Sequence, residues 1–332
     1  MNKRLKQGTT FLLALALAFP LLTLPGARAA NAIETDRKCS VSFSVSGEGN
    51  ELTAADTDIK VNLYKVADVD VSGNYTATKD FTGLNVSSVS ADNKDAAASE
   101  WADRAKEAQK MLKESVEPTA TVTLAKGIGS KDGLATGLYL VDTPEVVTTN
   151  YTYTFTPYLV SLPTNNYYSN GNDTWIYDLT DTNAIGLKPE EHARYGDLKI
   201  NKTLANHNAT TGKKATFVFK IEITPLKGKT ETRIESLDFE AAGDSSVTIT
   251  KIPAGAKVKV TEVYSGASYK LTSANDQTAT IVATDRGSTN TPASVSFTND
   301  IDDNMNGGYG VKNNFKLDEN GQYQYTEPAE KN

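Results

Sequence analysis

Apolar side chains recur at every second position in segment after segment of this chain, and that period admits little besides β-strands. Val41, Phe43 and Val45 alternate with serines, and Leu198 with Ile200, Val258 with Val260 and Val295 with Phe297 repeat the spacing. Successive side chains on a strand point to opposite faces, so the pattern belongs to strands with one face in a core and one in water. It predicts strands over 59–66, 75–81, 119–124, 137–141, 151–162 and 175–179, then over 198–204, 215–223, 234–239, 247–252, 258–264, 279–283 and 295–299. The fold class is therefore mostly β, two β-sandwich domains in series. One interruption is helical: Ala98, Trp101, Ala105, Ala108 and Leu112 are spaced by three and four, predicting a helix over about 92–115. Ser90 or Asp92 is its expected N-cap, and Pro118 lies beyond its end.

Punctuation of these elements sets the organisation. Residues 33–187 read as a first β domain carrying the helix, 188–195 as a short charged linker, 196–300 as a second β domain, and 301–332 as a polar tail. In the tail, Asn320-Gly321 is the turn of an expected small hairpin with Phe315 and Tyr323 on its arms. Ahead of the domains, Lys3, Arg4 and Lys6 precede an apolar stretch at 11–24 broken by Pro20, and Ala27-Arg28-Ala29 supplies the small residues a signal peptidase reads. Residues 1–29 are expected to be a removable export signal, too short for a membrane span. The final residues carry no hydrophobic tail, basic stop or sorting motif, so no transmembrane anchor is expected and the protein is placed outside the cell or against its wall.

Composition excludes several functions. The formal charge is −7 and becomes about −11 without the four basic leader residues, which disfavours nucleic acid and anionic lipid as partners. One cysteine allows no intramolecular disulfide framework and no cysteine-rich zinc site. Two histidines, His192 and His207, fall in the linker and a turn with no acid–nucleophile constellation beside them, which leaves a secreted hydrolase little to work with. Asp68-Val-Asp70-Val-Ser72-Gly73 starts like a calcium loop, but Lys79 stands where a bidentate Glu belongs, so a hairpin turn is expected. The acidic run Asp300-Ile-Asp-Asp303 enforces no ligand spacing either, so no metal or cofactor is expected. Cys39 reads as a buried core thiol. The tyrosines from 151 to 177 offer stacking surfaces for a glycan or protein ligand, although strand packing accounts for most of them.

Alternation also makes one chemical statement. If Leu198 and Ile200 face the core, so does Lys202; Glu262 follows Val258 and Val260, and Asn299 follows Val295 and Phe297. A buried charge is costly alone, so the amine, carboxyl and carboxamide should meet. Desolvation favours a neutral, nucleophilic Lys202 and a protonated Glu262. Glu262 could polarise the Asn299 carbonyl and carry protons from amine to departing ammonia, leaving a Lys202–Asn299 isopeptide bond. Phe217, Phe219 and Phe297 are the expected apolar neighbours. The same three residues also suit a buried Lys–Glu ion pair capped by Asn, or strand ends that reach water.

These residues carry a resemblance. Gly196-Asp-Leu-Lys-Ile-Asn-Lys202-Thr, Ile252-Pro-Ala-Gly-Ala256, Val260-Thr-Glu262-Val and Val295-Ser-Phe-Thr-Asn299-Asp resemble the strands of collagen-adhesin (Cna) B-type modules of Gram-positive surface proteins and pilins. The resemblance implies the isopeptide bond, with Lys202 and Asn299 joined and Glu262 as proton shuttle. The first domain is similar to N-terminal domains of pilin subunits through Val61-Asn-Leu-Tyr-Lys-Val-Ala-Asp68, Gly137-Leu-Tyr-Leu-Val141, Tyr158-Leu-Val-Ser-Leu-Pro163 and Trp175-Ile-Tyr-Asp-Leu179. It departs from them at Thr143, where a glutamate is usual, and its first strand offers no inward lysine, so no bond is expected there. Lys188 lies in a region comparable to that of the pilins' sortase-acceptor lysine, but its spacing from Trp175 differs and the Tyr-Pro-Lys core is absent; an ordinary linker lysine is the favoured reading over an acceptor for another subunit. The expected function is structural or adhesive, in company with other pilus or surface subunits and a host or glycan ligand, with no enzymatic turnover beyond the single self-crosslink. The alternative is a soluble glycan- or matrix-binding module working through the first domain's helix and tyrosines.

Overall fold

The computed structural model describes residues 22–23, 32–45, 51–54, 57–90, 94–113, 115–165, 174–180, 184–209, 214–266, 268–285, 288–302, 314–317 and 322–326. The expected export signal, apart from Leu22 and Thr23, lies outside them, as do Asp92, the acidic segment from Asp303 onward and the tail turn at Asn320-Gly321. The chain is mostly β and divides into two compact units, Met1–Thr148 with Thr152–His192, and Thr149–Tyr151 with Ala193–Asn332.

The first unit is built on a nine-stranded sheet. Its main strands are β1 (Cys39–Ser44), β2 (Asp58–Val69), β3 (Ala120–Ala125), β4 (Ile128–Leu134), β5 (Gly137–Asp142) and β6 (Tyr158–Leu162). They run in the order β6–β5–β2–β3–β4–β1, and β1 also pairs in parallel with Asp178–Leu179 and Ile185–Gly186. Strand β4 has no apolar alternation and was not expected. Its Gly129 lies so close to the Thr123 backbone that a Cβ there would overlap the carbonyl oxygen. The serine-alternating strand β1 puts Cys39, Val41 and Phe43 fully inside. Burial pushes the Cys39 thiol up to about 11. At the Asp70 turn, side-chain and backbone hydrogen bonds from Asn74, then from Ser72, hold the carboxyl below the usual range.

The helix α1 runs over Lys94–Met111 and ends earlier than expected; its expected start at residue 92 lies outside the described residues. Ala97, Trp101, Ala105 and Ala108 are buried against Leu138 and Leu140 of β5 and Leu159 of β6. Ala98, rather than Ala97, was expected in that stripe; three consecutive alanines give periodicity nothing to choose by. Arg104 also lies in the stripe, its guanidinium 4.5 Å from the Trp101 ring. The segment expected as a linker is extended: Pro189–Ala193 joins Tyr151–Phe155 and Val146–Val147 in a three-stranded sheet.

The second unit is a sandwich of two four-stranded sheets. Its strands are β7 (Tyr195–Leu204), β8 (Ala215–Thr224), β9 (Glu231–Phe239), β10 (Gly243–Pro253), β11 (Lys257–Tyr264), β12 (Tyr269–Leu271), β13 (Gln277–Thr280) and β14 (Ala293–Ile301). One sheet is ordered β10–β7–β14–β12 and the other β9–β8–β11–β13. Three-residue β12 is too short for alternation to register. The first and last long strands, β7 and β14, are neighbours and parallel, with Lys202 opposite Phe297 and Leu204 opposite Asn299. Between the sheets lie Leu198, Ile200, Phe217, Phe219, Ile221, Val260, Val295 and Phe297. In the tail, Asn314–Leu317 and Tyr323–Thr326 pair antiparallel, Phe315 opposite Tyr325.

Candidate functional site

The polar residues of three strands meet in the core of this sandwich. Lys202 follows Leu198 and Ile200 on the inward face of β7, and Asn299 follows Val295 and Phe297 on that of β14. Glu262 follows Val258 and Val260 on β11, in the facing sheet. The side chains of Lys202 and Glu262 have no exposure, and Asn299 is 0% exposed. Lys202 Nζ stands 3.0 Å from Glu262 Oε2 and donates to Asn299 Oδ1. Asn299 Nδ2 donates to Glu262 Oε1 at 2.6 Å. The three groups thus form a closed triangle, with one carboxyl oxygen on the amine and the other on the carboxamide nitrogen.

Each arm of the triangle has a local cause. The lysine stem is long enough to reach Asn299 although β7 pairs Lys202 with Phe297, two positions earlier on β14. A register shift between Val218 and Phe219 inserts an extra β11 residue just past Glu262, which sits opposite Phe219. The Glu262 backbone N–H donates to Asn275 Oδ1 at 2.9 Å. That contact carries no sequence signal, because Asn275 lies in a turn whose target is set only by the tertiary fold.

The surroundings are aromatic. The Lys202 ammonium lies 4.4 Å from the centroid of the Phe217 ring, which packs edge-on against Phe239 and tilted against Tyr269, each at 5.6 Å. Phe219 and Phe297 pack on one another at 5.2 Å. Desolvation holds the Lys202 amine below the ordinary lysine value, with the Glu262 charge and hydrogen bond opposing it. The Phe217 ring face also favours the charged amine and opposes desolvation. One expectation differs in detail: the Asn299 carbonyl oxygen faces Lys202, so Glu262 touches the carboxamide nitrogen rather than the carbonyl.

The remaining residues singled out by sequence lie apart from the triangle. Lys188 is exposed and belongs to the first unit. Thr143 is buried there, and the buried polar side chains described in that unit are hydroxyls and Arg104. His207 lies 6.5 Å from the Tyr269 ring, and His192 bonds to Thr154 at 3.1 Å. Among the described residues no cluster of His, Cys, Asp or Glu could hold a metal ion, and no helix is long and apolar enough to cross a membrane.

Residues 198–302, which span the triangle, match a family model described as a domain of unknown function (DUF5979). No curated protein matches the chain. Among solved structures the chain is similar to the minor pilin of Streptococcus agalactiae, at 12% identity over 79% of this chain and 95% of that one, with a TM-score of 0.22. It is similar to the major pilin of Streptococcus pyogenes at 13% identity, covering 80% and 98%, with a TM-score of 0.22. It is also similar to the Corynebacterium diphtheriae major pilin SpaA at 11% identity, covering 79% and 100%, with a TM-score of 0.23; that structure is described as pointing to a modular pilus assembly stabilizing isopeptide bonds.

Proposed function

We propose that the chain is a pilin-like structural protein of a bacterial surface whose second unit ties its own first and last strands together through a Lys202–Asn299 isopeptide bond. The observation that carries this reading is the closed, dry triangle of Lys202, Glu262 and Asn299 on two adjacent strands and one facing strand. The neutral Lys202 amine attacks Asn299 Cγ. A bond forms between Nζ and Cγ, the bond between Cγ and Nδ2 breaks, and Nδ2 leaves as ammonia. Glu262 is placed to take a proton from Nζ through Oε2 and to supply one to Nδ2 through Oε1, so the acid ends the reaction as it began. Fixed proximity replaces the external activation that amide exchange otherwise needs. Burial behind the aromatic residues keeps water from competing, and that desolvation, working against the Phe217 ring face, lowers the cost of a neutral amine.

Such a bond suits a subunit that bears tension. The surface role draws further support from the expected export signal and from the strand motifs that resemble those of pilin and adhesin modules. Intact mass of the purified full chain tests the chemistry: the linked protein is lighter by one ammonia, and K202R and N299A restore the full mass. A wild-type chain of full mass overturns it. Fractionation of cells expressing a tagged copy tests the location; a chain retained in the cytoplasm overturns the surface role.

A further inference from the structure

The short segment between β12 and β13, residues 272–276, together with Gln277 at the start of β13, crosses from one sheet of the sandwich to the other and holds two of the three strands that the proposed reaction needs. On the Asn299 side it follows β14 past the end of the regular ladder. Thr272 donates to the Thr298 carbonyl through its backbone N–H at 2.8 Å and its hydroxyl at 3.0 Å, and the Thr298 N–H donates to Ser273 Oγ at 3.1 Å. The Gln277 carboxamide then serves Ser296 as a substitute peptide group. Its Oε1 accepts the Ser296 N–H at 3.1 Å, and its Nε2 donates to the Ser296 carbonyl. Both backbone groups of Ser296 and of Thr298, on either side of Phe297, are thereby occupied along this edge. On the Glu262 side, Asn275 Oδ1 accepts the Glu262 N–H at 2.9 Å, and Asp276 takes the Thr261 hydroxyl at 2.8 Å and the Lys259 ammonium at 3.0 Å.

Water could satisfy an exposed strand edge equally well. Water could not fix β14 to β11, and those strands lie in different sheets with no ladder between them. We propose that Asn275 and Gln277 are positioning residues for the isopeptide reaction, Asn275 setting the Glu262 carboxyl and Gln277 setting the Asn299 carboxamide, through one clip that couples the acid strand to the acceptor strand. This inference rests on the cross-link proposed above. Neither residue touches a reacting atom. Each acts through the backbone of the strand it holds, where a shift of about 1 Å is enough to cost roughly a hundredfold in rate.

The test follows ammonia loss by intact mass in freshly synthesised full chain, quenched at intervals. N275A and Q277A are expected to slow the reaction by roughly tenfold or more. N275D is expected to recover most of the rate, because its carboxylate still accepts the Glu262 N–H. The same substitutions placed in a K202R chain, which cannot cross-link, are expected to leave the unit folded with only a small change in melting temperature. Wild-type rates in both N275A and Q277A overturn the inference, as does N275D reacting as slowly as N275A. Collapse of the fold in the K202R chain also overturns it, since the clip would then serve stability alone. A wild-type chain that never loses ammonia removes the cross-link itself, which separates that failure from this one.

Discussion

Lys202 and Glu262 each depend on the other inside this core, so replacing one is not equivalent to replacing the other or Asn299. Removing the carboxyl in E262A strands an amine among aromatic rings and is expected to cost about 3–5 kcal/mol in addition to blocking the bond. N299A keeps the Lys202–Glu262 contact and loses the link together with the carboxamide's hydrogen bonds to both partners. For a link between residues 97 apart, the loop-entropy argument puts the loss at about 4–5 kcal/mol. Calorimetry should place the second unit of N299A lower by roughly 20 °C or more. The unlinked chain should also respond to pH. Burial holds Lys202 below the ordinary 10.5, so between the folded and unfolded values the unfolded chain binds a proton that the folded chain does not. Stability of N299A therefore rises with pH across that window and is lowest, as far as this group is concerned, below it. Urea midpoints measured at increasing pH would check the sign; a fall toward 10.5 contradicts it. Lys202, Glu262 and Asn299 were legible because a period of two makes every polar residue on an apolar face conspicuous. Asn275 and Gln277 were not, because a turn and the first residue of a four-residue strand carry no readable period, and their partners are chosen by where the sheets come to lie.

Among the elements, strands with clean alternation were readable to within a few residues, and the misses have local causes. Strand β4 is held by backbone pairing with β1 and by glycine's close approach to Thr123, neither of which leaves an apolar pattern. The helix was readable through Trp101, while its alanines left the stripe free to rotate by one residue. W101A should cost the first unit about 3–5 kcal/mol, since the ring is 4% exposed and packed beneath Arg104. Because the triangle lies in the other unit, the ammonia deficit should persist in that variant, which mass and calorimetry together would check. At the start of β7, a methyl group on Gly196 would overlap the backbone oxygen of Val282, and backbone cannot swing aside as a side chain can. G196A is therefore expected to destabilise the second unit by about 1–3 kcal/mol, as judged by its urea midpoint.

For the whole molecule, the arrangement of β7 and β14 governs how force passes through the second unit. A pull that enters at Tyr195 and leaves beyond Ile301 shears two parallel neighbours along their length. With the isopeptide in place, that pull runs from Lys202 to Asn299 and bypasses everything folded between them. Single-molecule stretching of N299A should release about 320–350 Å of contour that the linked wild type never yields. Equal extension in both would show that the link carries no tension. Parallel pairing has a second consequence, in time rather than in mechanics. An antiparallel hairpin can close while the ribosome is still working, but β7 must wait for the last strand of its domain to emerge before it gains that neighbour. A prematurely terminated chain has Lys202 and Glu262 but no carboxamide to react with. The proposed bond thus marks copies translated at least through Asn299.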